Sequence, residues 1–211
     1  MLKEANNNTV YLYIINGKLT QKVTEGADGA VQRTNKKGTV VYEKHFSSVA
    51  GYIKDLKIEG SDFGDNLIVH MIDGGENCQI QISVESRYFT SFVAKIGNVD
   101  TSQGVEIKTF SFQPEDKKVS GVNFYQSGGK VDYFINKDNQ PEGYPPFPED
   151  WQSLADAKKK VYWIEKTEWE KEYIQALPIS PAEPSKSEDI KGKLDGLMDQ
   201  VKEEMGKETP F

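Results

Sequence analysis

The order of hydrophobic patterns along the chain predicts a mainly β protein: an OB-fold-like five-stranded Greek-key barrel with one helix between its third and fourth strands. Three observations predict it. The run CQIQISVE alternates strictly, with Ile80, Ile82 and Val84 on one face and Gln79, Gln81 and Ser83 on the other. That is the period of a half-buried antiparallel strand. The next segment, SRYFTSFVAKIGN, changes period: Phe89, Phe92, Val93 and Ile96 fall at i, i+3, i+4 and i+7, between an N-capping Ser86 and a terminating Gly97. Strand patterns lie on both sides of this helix, three before it and two or three after it, which is the element order of an OB-fold.

In chain order, TVYLYIING is strand-like and ends at Gly17, residues 24–38 (TEGADGAVQRTNKKG) read as a long polar loop, and TVVYEKHF is a second strand. These are extra N-terminal strands. The first barrel strand is GYIKDLKIEG, where the spacing of Ile53, Leu56 and Ile58, three then two, implies a bulge. SDFGDN turns into the strand LIVHMID, and GGEN turns into the alternating strand already described. Beyond the helix, GVEIKTFSF is a strand, and VSGVNFYQ with KVDYFI forms a hairpin around Ser127-Gly128-Gly129. NQPEGYPPFPEDW carries four prolines and is expected to wrap the barrel in extended form. Trp169, Tyr173, Ile174 and Leu177 then stand at helical spacing and give a C-terminal helix.

PISPAEPSKS reads as a linker. After it, Ile190, Leu194, Leu197, Met198, Val201 and Met205 share one helical stripe, which Gly192 and Gly196 weaken by about 1 kcal/mol each. The expected organisation is a domain over residues 1–177 and a Pro-rich linker with an acidic tail over 178–211.

The charge is uneven. Residues 1–140 hold 16 basic and 17 acidic side chains, while residues 141–177 and 178–211 each hold 5 and 8. Within residues 17–58 the count is 8 basic against 4 acidic, a footprint for phosphate inside an acidic chain of net charge −7. No run of 18 apolar residues predicts a membrane span, and MLKEANNN lacks the apolar core of a secretory signal. The single cysteine, Cys78, excludes an internal disulfide and points to the reducing cytoplasm.

Sequence signals for catalysis are absent. There is no phosphate-binding G-x-x-x-x-G-K-[ST] loop, and His45 and His70 stand on separate strands without a Cys/His cluster that would predict zinc. EGADG and SDFGD lack the alternating ligands of a calcium loop. No carboxylate pair suggests an acid and a base. The chain is expected not to be an enzyme and to need no cofactor.

What the sequence does offer is aromatic side chains, 23 of them, beside the basic stretch. Single-stranded nucleic acid is held by a positive groove and by aromatic faces on which bases stack. Arg33, Lys36, Lys37 and Lys44 are the candidate phosphate contacts, extended by Lys54 and Lys57 on the first barrel strand. Phe110 and Phe112 lie on the face opposite Val105 and Ile107 and are candidate stacking residues, with Tyr52 and Tyr125. Phe89 and Phe92 belong to the core.

The barrel order over residues 51–135, the run GTVVYEKHFSSVAGYIKDLKIEGSDFGDNLIVHMID and an acidic end closing on TPF together resemble phage and bacterial single-stranded-DNA-binding proteins with an OB-fold. The resemblance implies sequence-independent binding and protection of single-stranded DNA in replication, recombination and repair. It implies a cytoplasmic setting, in an infected host cell for a phage protein. It also implies recruitment of replication and recombination proteins through the tail, with Glu208, Pro210 and Phe211 as partner-binding residues. The family's tail carries several aspartates before Pro-Phe, whereas GKETPF has Glu208 alone beside Lys207. The alternative is a phage β-barrel structural or protein-interaction module, with the aromatics as core and interface.

Overall fold

The computed structural model describes residues 9–179 apart from Lys36 and Asp116. These residues form ten strands and two helices, and the protein is mainly β. β1 (Thr9–Ile15) turns at Asn16-Gly17 into β2 (Lys18–Val23). Both turn residues have positive φ, 50° and 80°, the two-residue geometry whose twist matches that of paired strands. Gly17 is required a second way, because a Cβ there would overlap the backbone of Ser111.

β4 (Val40–Phe46) pairs with β2 on one side and with β3 (Val31–Thr34) on the other. The polar stretch expected to be loop over 24–38 therefore contains a strand, and another strand follows Gly17. β3 escaped the reading because none of its residues is buried, so it has no inward face to generate alternation.

β5 (Val49–Glu59) is the long strand. Its first three residues pair with β8 (Val105–Phe112), and the rest pair with β6 (Asn66–Asp73). Its register against β6 shifts between Ile53 and Asp55, the bulge that keeps both Ile53 and Leu56 in the core. β6 turns into β7 (Glu76–Ser83), where Ile80 and Ile82 are buried, as is Val84 just beyond.

α1 (Arg87–Ile96) begins at Ser86, whose Oγ accepts from the Phe89 N–H at 3.3 Å, and buries Phe89, Phe92, Val93 and Ile96. Gly97 does end it, but in right-handed conformation, φ −64°. Its role is packing: Phe134 and the Tyr173 hydroxyl occupy the space a Cβ would need.

β8 pairs with β9 (Val119–Gln126), which turns at Ser127-Gly128 into β10, only Gly129–Lys130. The strand expected over KVDYFI stops there because α1 captures the chain: the Phe134 and Ile135 N–H groups donate to the Ala94 carbonyl at 2.8 and 3.0 Å. α2 (Asp156–Ala176) buries Tyr162, Lys166, Glu170 and Ile174, one residue per turn, while Trp169, Tyr173 and Leu177 pack half-buried against the core.

The strands make one open sheet in the order β10-β9-β8-β5-β6-β7-β1-β2-β4-β3. β7 does not pair with β9, as closure of a five-stranded barrel would require. Its outer edge takes β1 in parallel instead. The outer edge of β9 is covered by α1: the Ser91 hydroxyl accepts from the Val122 N–H at 3.0 Å, and Ser91 and Lys95 both donate to the Val122 carbonyl. Side chains of a helix thus satisfy backbone groups that a neighbouring strand would otherwise claim. The β1–β2 turn folds back onto β8, where the Thr109 hydroxyl donates to the Gly17 carbonyl at 2.8 Å. No described helix is long and apolar enough to cross a membrane. The Pro-rich linker and the stripe over 188–205 fall almost wholly outside the described residues.

Candidate functional site

The register of β8, β9 and β10 sets side chains in rows on one face. Lys130, Tyr125 and Glu106 form one row, Asn123 and Lys108 the next, then Gly121 and Phe110, then Val119 and Phe112. The opposite face of β8 carries Val105 and Ile107, both in the core. Period-2 alternation therefore forces Phe110 and Phe112 outward. Their ring centroids are 5.9 Å apart, and Phe112 is 55% exposed.

Cations are interleaved with these rings. Lys108 Nζ stands 4.7 Å from the centre of the Tyr125 ring and 3.1 Å from Glu106. A hydrogen bond from Ser48, and then Lys108, holds the Glu106 carboxyl below its ordinary range. Lys95 reaches the same surface from α1, with Nζ 4.5 Å from the Tyr133 ring centre and 6.0 Å from that of Phe110. Its polar partners are neutral oxygens, the Val122 carbonyl and Asn123 Oδ1 at 2.9 Å.

Lys95 is 1% exposed. Burial, and then repulsion from Lys130, bring its ammonium down to about 8. An unfolded lysine keeps its proton to about 10.4. Below the lower value the buried charge opposes folding; between the two values the unfolded chain binds the extra proton and stability rises with pH. Lys95→Met is expected to be more stable than the wild type near pH ~7, with the advantage shrinking towards pH ~10. Paired urea titrations check this, and an advantage that is flat across that range refutes it.

The other expected contacts are dispersed. Arg33 is engaged by Glu43, donating through Nε at 3.0 Å and through a terminal nitrogen at 2.5 Å. Glu43 is fully buried, and this bonding to Arg33 keeps its carboxyl below the usual range. Lys37 is exposed in the β3–β4 turn and Lys44 is half-buried on β4. Both stand towards the opposite end of the strand order from β8 and β9. Lys57 pairs with Asp55 at 2.8 Å. Lys54 is exposed at the bulge, and Tyr52 is half-buried beside Gly104. Lys36, Glu208, Pro210 and Phe211 lie outside the described residues. The structure thus brings Phe110, Phe112 and Tyr125 onto one face without the basic residues chosen from 33–57; the lysines beside these rings are Lys108 and Lys130, with Lys95 buried beneath them. Lys108 shares the alternation of Phe110, and Lys95 flanks the apolar stripe of α1 three residues after Phe92.

Elsewhere, burial pushes the Cys78 thiol up to about 11, which makes it a poor nucleophile at neutral pH. Among the described residues, no group of three His, Cys, Asp or Glu side chains could hold a metal ion. No protein-family model, curated protein or solved structure matches the chain, so what speaks to its function is this aromatic and cationic surface.

Proposed function

We propose that the protein is a non-enzymatic, sequence-independent binder of single-stranded DNA. The bases stack on the outward face of β8 and β9, and the phosphates meet the lysines beside it. The observation that carries this reading is the interleaving of Phe112, Phe110 and Tyr125 with Lys108 and Lys130 on one surface. Every base has a face to stack, so such a surface binds without choosing sequence.

The strand order supports an OB-like core. β9-β8-β5-β6-β7, with α1 between the third and fourth strands in chain order, follows OB connectivity. In this reading the barrel is left open, because β1 takes the edge of β7 and α1 covers that of β9. Residues 178–211 then recruit replication or recombination partners through Glu208, Pro210 and Phe211.

Fluorescence anisotropy with labelled oligo(dT) tests the reading. Binding is expected at about 50 mM salt, with a steep loss by about 200 mM and little difference from mixed-sequence DNA. No binding at the lower salt overturns it. The second reading, a structural or protein-interaction module, rests on β3. This edge strand, with Val31 and neighbouring Val40 about half exposed, is fit to receive a strand from another chain.

A further inference from the structure

Phe110 faces two ways. It belongs to the aromatic surface of β8, and it also lines a groove of about 990 Å³ between α1 and α2. Tyr133, Trp163 and Ile164 line the same groove. Trp163 and Ile164 are about half exposed although each is a large apolar side chain. The Trp163 indole stands edge-on to Trp151 and Tyr162, with centroids 5.7 and 5.2 Å away, and lines the groove.

The groove lining carries three acids and three bases, and two of the bases, Arg87 and Lys160, are not paired with its acids among the described residues. Of its three acids, Asp156 lies 3.9 Å from Lys159, and Glu168 shares Lys171, at 3.1 Å, with Asp65 at 2.8 Å. On the basic side, Lys160 has no ion-pair partner among the described residues, and Arg87 donates to the Lys118 carbonyl, a neutral group. Buried beside the two aromatic walls, Phe110 and Tyr133, is the Lys95 ammonium, whose partners among the described residues are carbonyl and amide oxygens. The exposed cation that a phosphate of a strand stacked on these walls would meet is Lys160, at the α2 side of the groove.

We propose that the bound strand continues past Phe110 into the α1–α2 groove, where Trp163 stacks a base and Lys160 holds the adjoining phosphate. This rests on the proposed binding of single-stranded DNA to β8 and β9, and it names a second half of that site, built on the helices.

The test uses the full chain and oligo(dT) of ~16 nucleotides. It compares the wild type with Trp163→Ala, Trp163→Phe, Lys160→Gln and, on the β8 side, Phe112→Ala. Trp163→Ala is expected to weaken binding ~10-fold with an unchanged salt slope, and Trp163→Phe to restore most of it. Lys160→Gln is expected to lower the salt slope by about 1. Quenching of tryptophan fluorescence on binding should fall in both Trp163 variants. If Trp163→Ala and Lys160→Gln bind like the wild type while Phe112→Ala is weakened, the groove is off the path and this inference fails alone. If the wild type does not bind, both readings fail. A Trp163→Ala variant that binds normally but sediments as a smaller species overturns the inference in favour of a second copy of the chain. Equal weakening of Trp163→Ala and Trp163→Phe, with an equal loss of urea stability, overturns it in favour of a packing role.

Discussion

Glu170→Ala is expected to destabilise the protein by about 3–5 kcal/mol, because it strands a buried ammonium. Glu170 and Lys166 lie one turn apart on α2 and are 1% and 5% exposed. They form an ion pair, and Thr90 on α1 donates to the second Glu170 oxygen at 3.3 Å. Burial raises the Glu170 carboxyl above its ordinary range despite the opposing pull of Lys166. At this carboxyl the cost of leaving water thus outweighs the pull of Lys166. Two substitutions separate the cost of breaking the pair from the worth of having it. Glu170→Ala leaves Lys166 with the Thr90 hydroxyl at 3.5 Å and the faces of Tyr144 and Trp163. The double change Lys166→Met/Glu170→Leu removes both charges and keeps the volume, and is expected to be neutral or stabilising by about 1–4 kcal/mol. Urea titration reads both. A loss below about 1 kcal/mol in the single variant would mean that water reaches the pair.

The largest effect on binding is expected from Phe110→Ala/Phe112→Ala. Each stacked base contributes about 1–3 kcal/mol, so removing both rings should cost about 2–6 kcal/mol of affinity for oligo(dT). The salt slope should hold, because no cation is lost; Lys108→Ala should lower it by about 1 with a smaller loss of affinity. Phe112 is 55% exposed, so Phe112→Ala alone should leave the urea midpoint almost unchanged. An affinity within threefold of wild type for the double variant would exclude this face as the stacking surface.

How far these features were legible in the sequence depends on whether one face of an element is buried. α1 and β7 were plain, since Phe89, Phe92, Val93 and Ile96, and likewise Ile80 and Ile82, all enter the core. The bulge in β5 was legible for the same reason. β3 was not, because it buries nothing. β2 was missed although Asn16-Gly17 is a two-residue hairpin signal. The short β10 depended on a capture by the Ala94 carbonyl, which lies in another element. The aromatic half of the candidate surface followed from alternation in EIKTFSF. The cationic half did not, because lysines are abundant and only the strand pairing places Lys108 and Lys130 beside these rings and Arg33 at the far end of the sheet.

The contact between the Thr109 hydroxyl and the Gly17 carbonyl joins residues 92 positions apart. Loop-closure entropy and contact order give that number a meaning in time. β5, β6 and β7 form a meander of neighbours, and β1 with β2 a hairpin across two residues. Hairpins closed by such local contacts form in about 1–10 μs. The parallel pairing of β1 with β7, and the seating of the Asn16-Gly17 turn on β8, wait until the whole intervening chain has been ordered. The β1–β2 hairpin is thus among the earliest structures to form and among the last to dock. Until then β7 presents an unpaired edge, and the N-terminal hairpin is the piece of the chain that covers it.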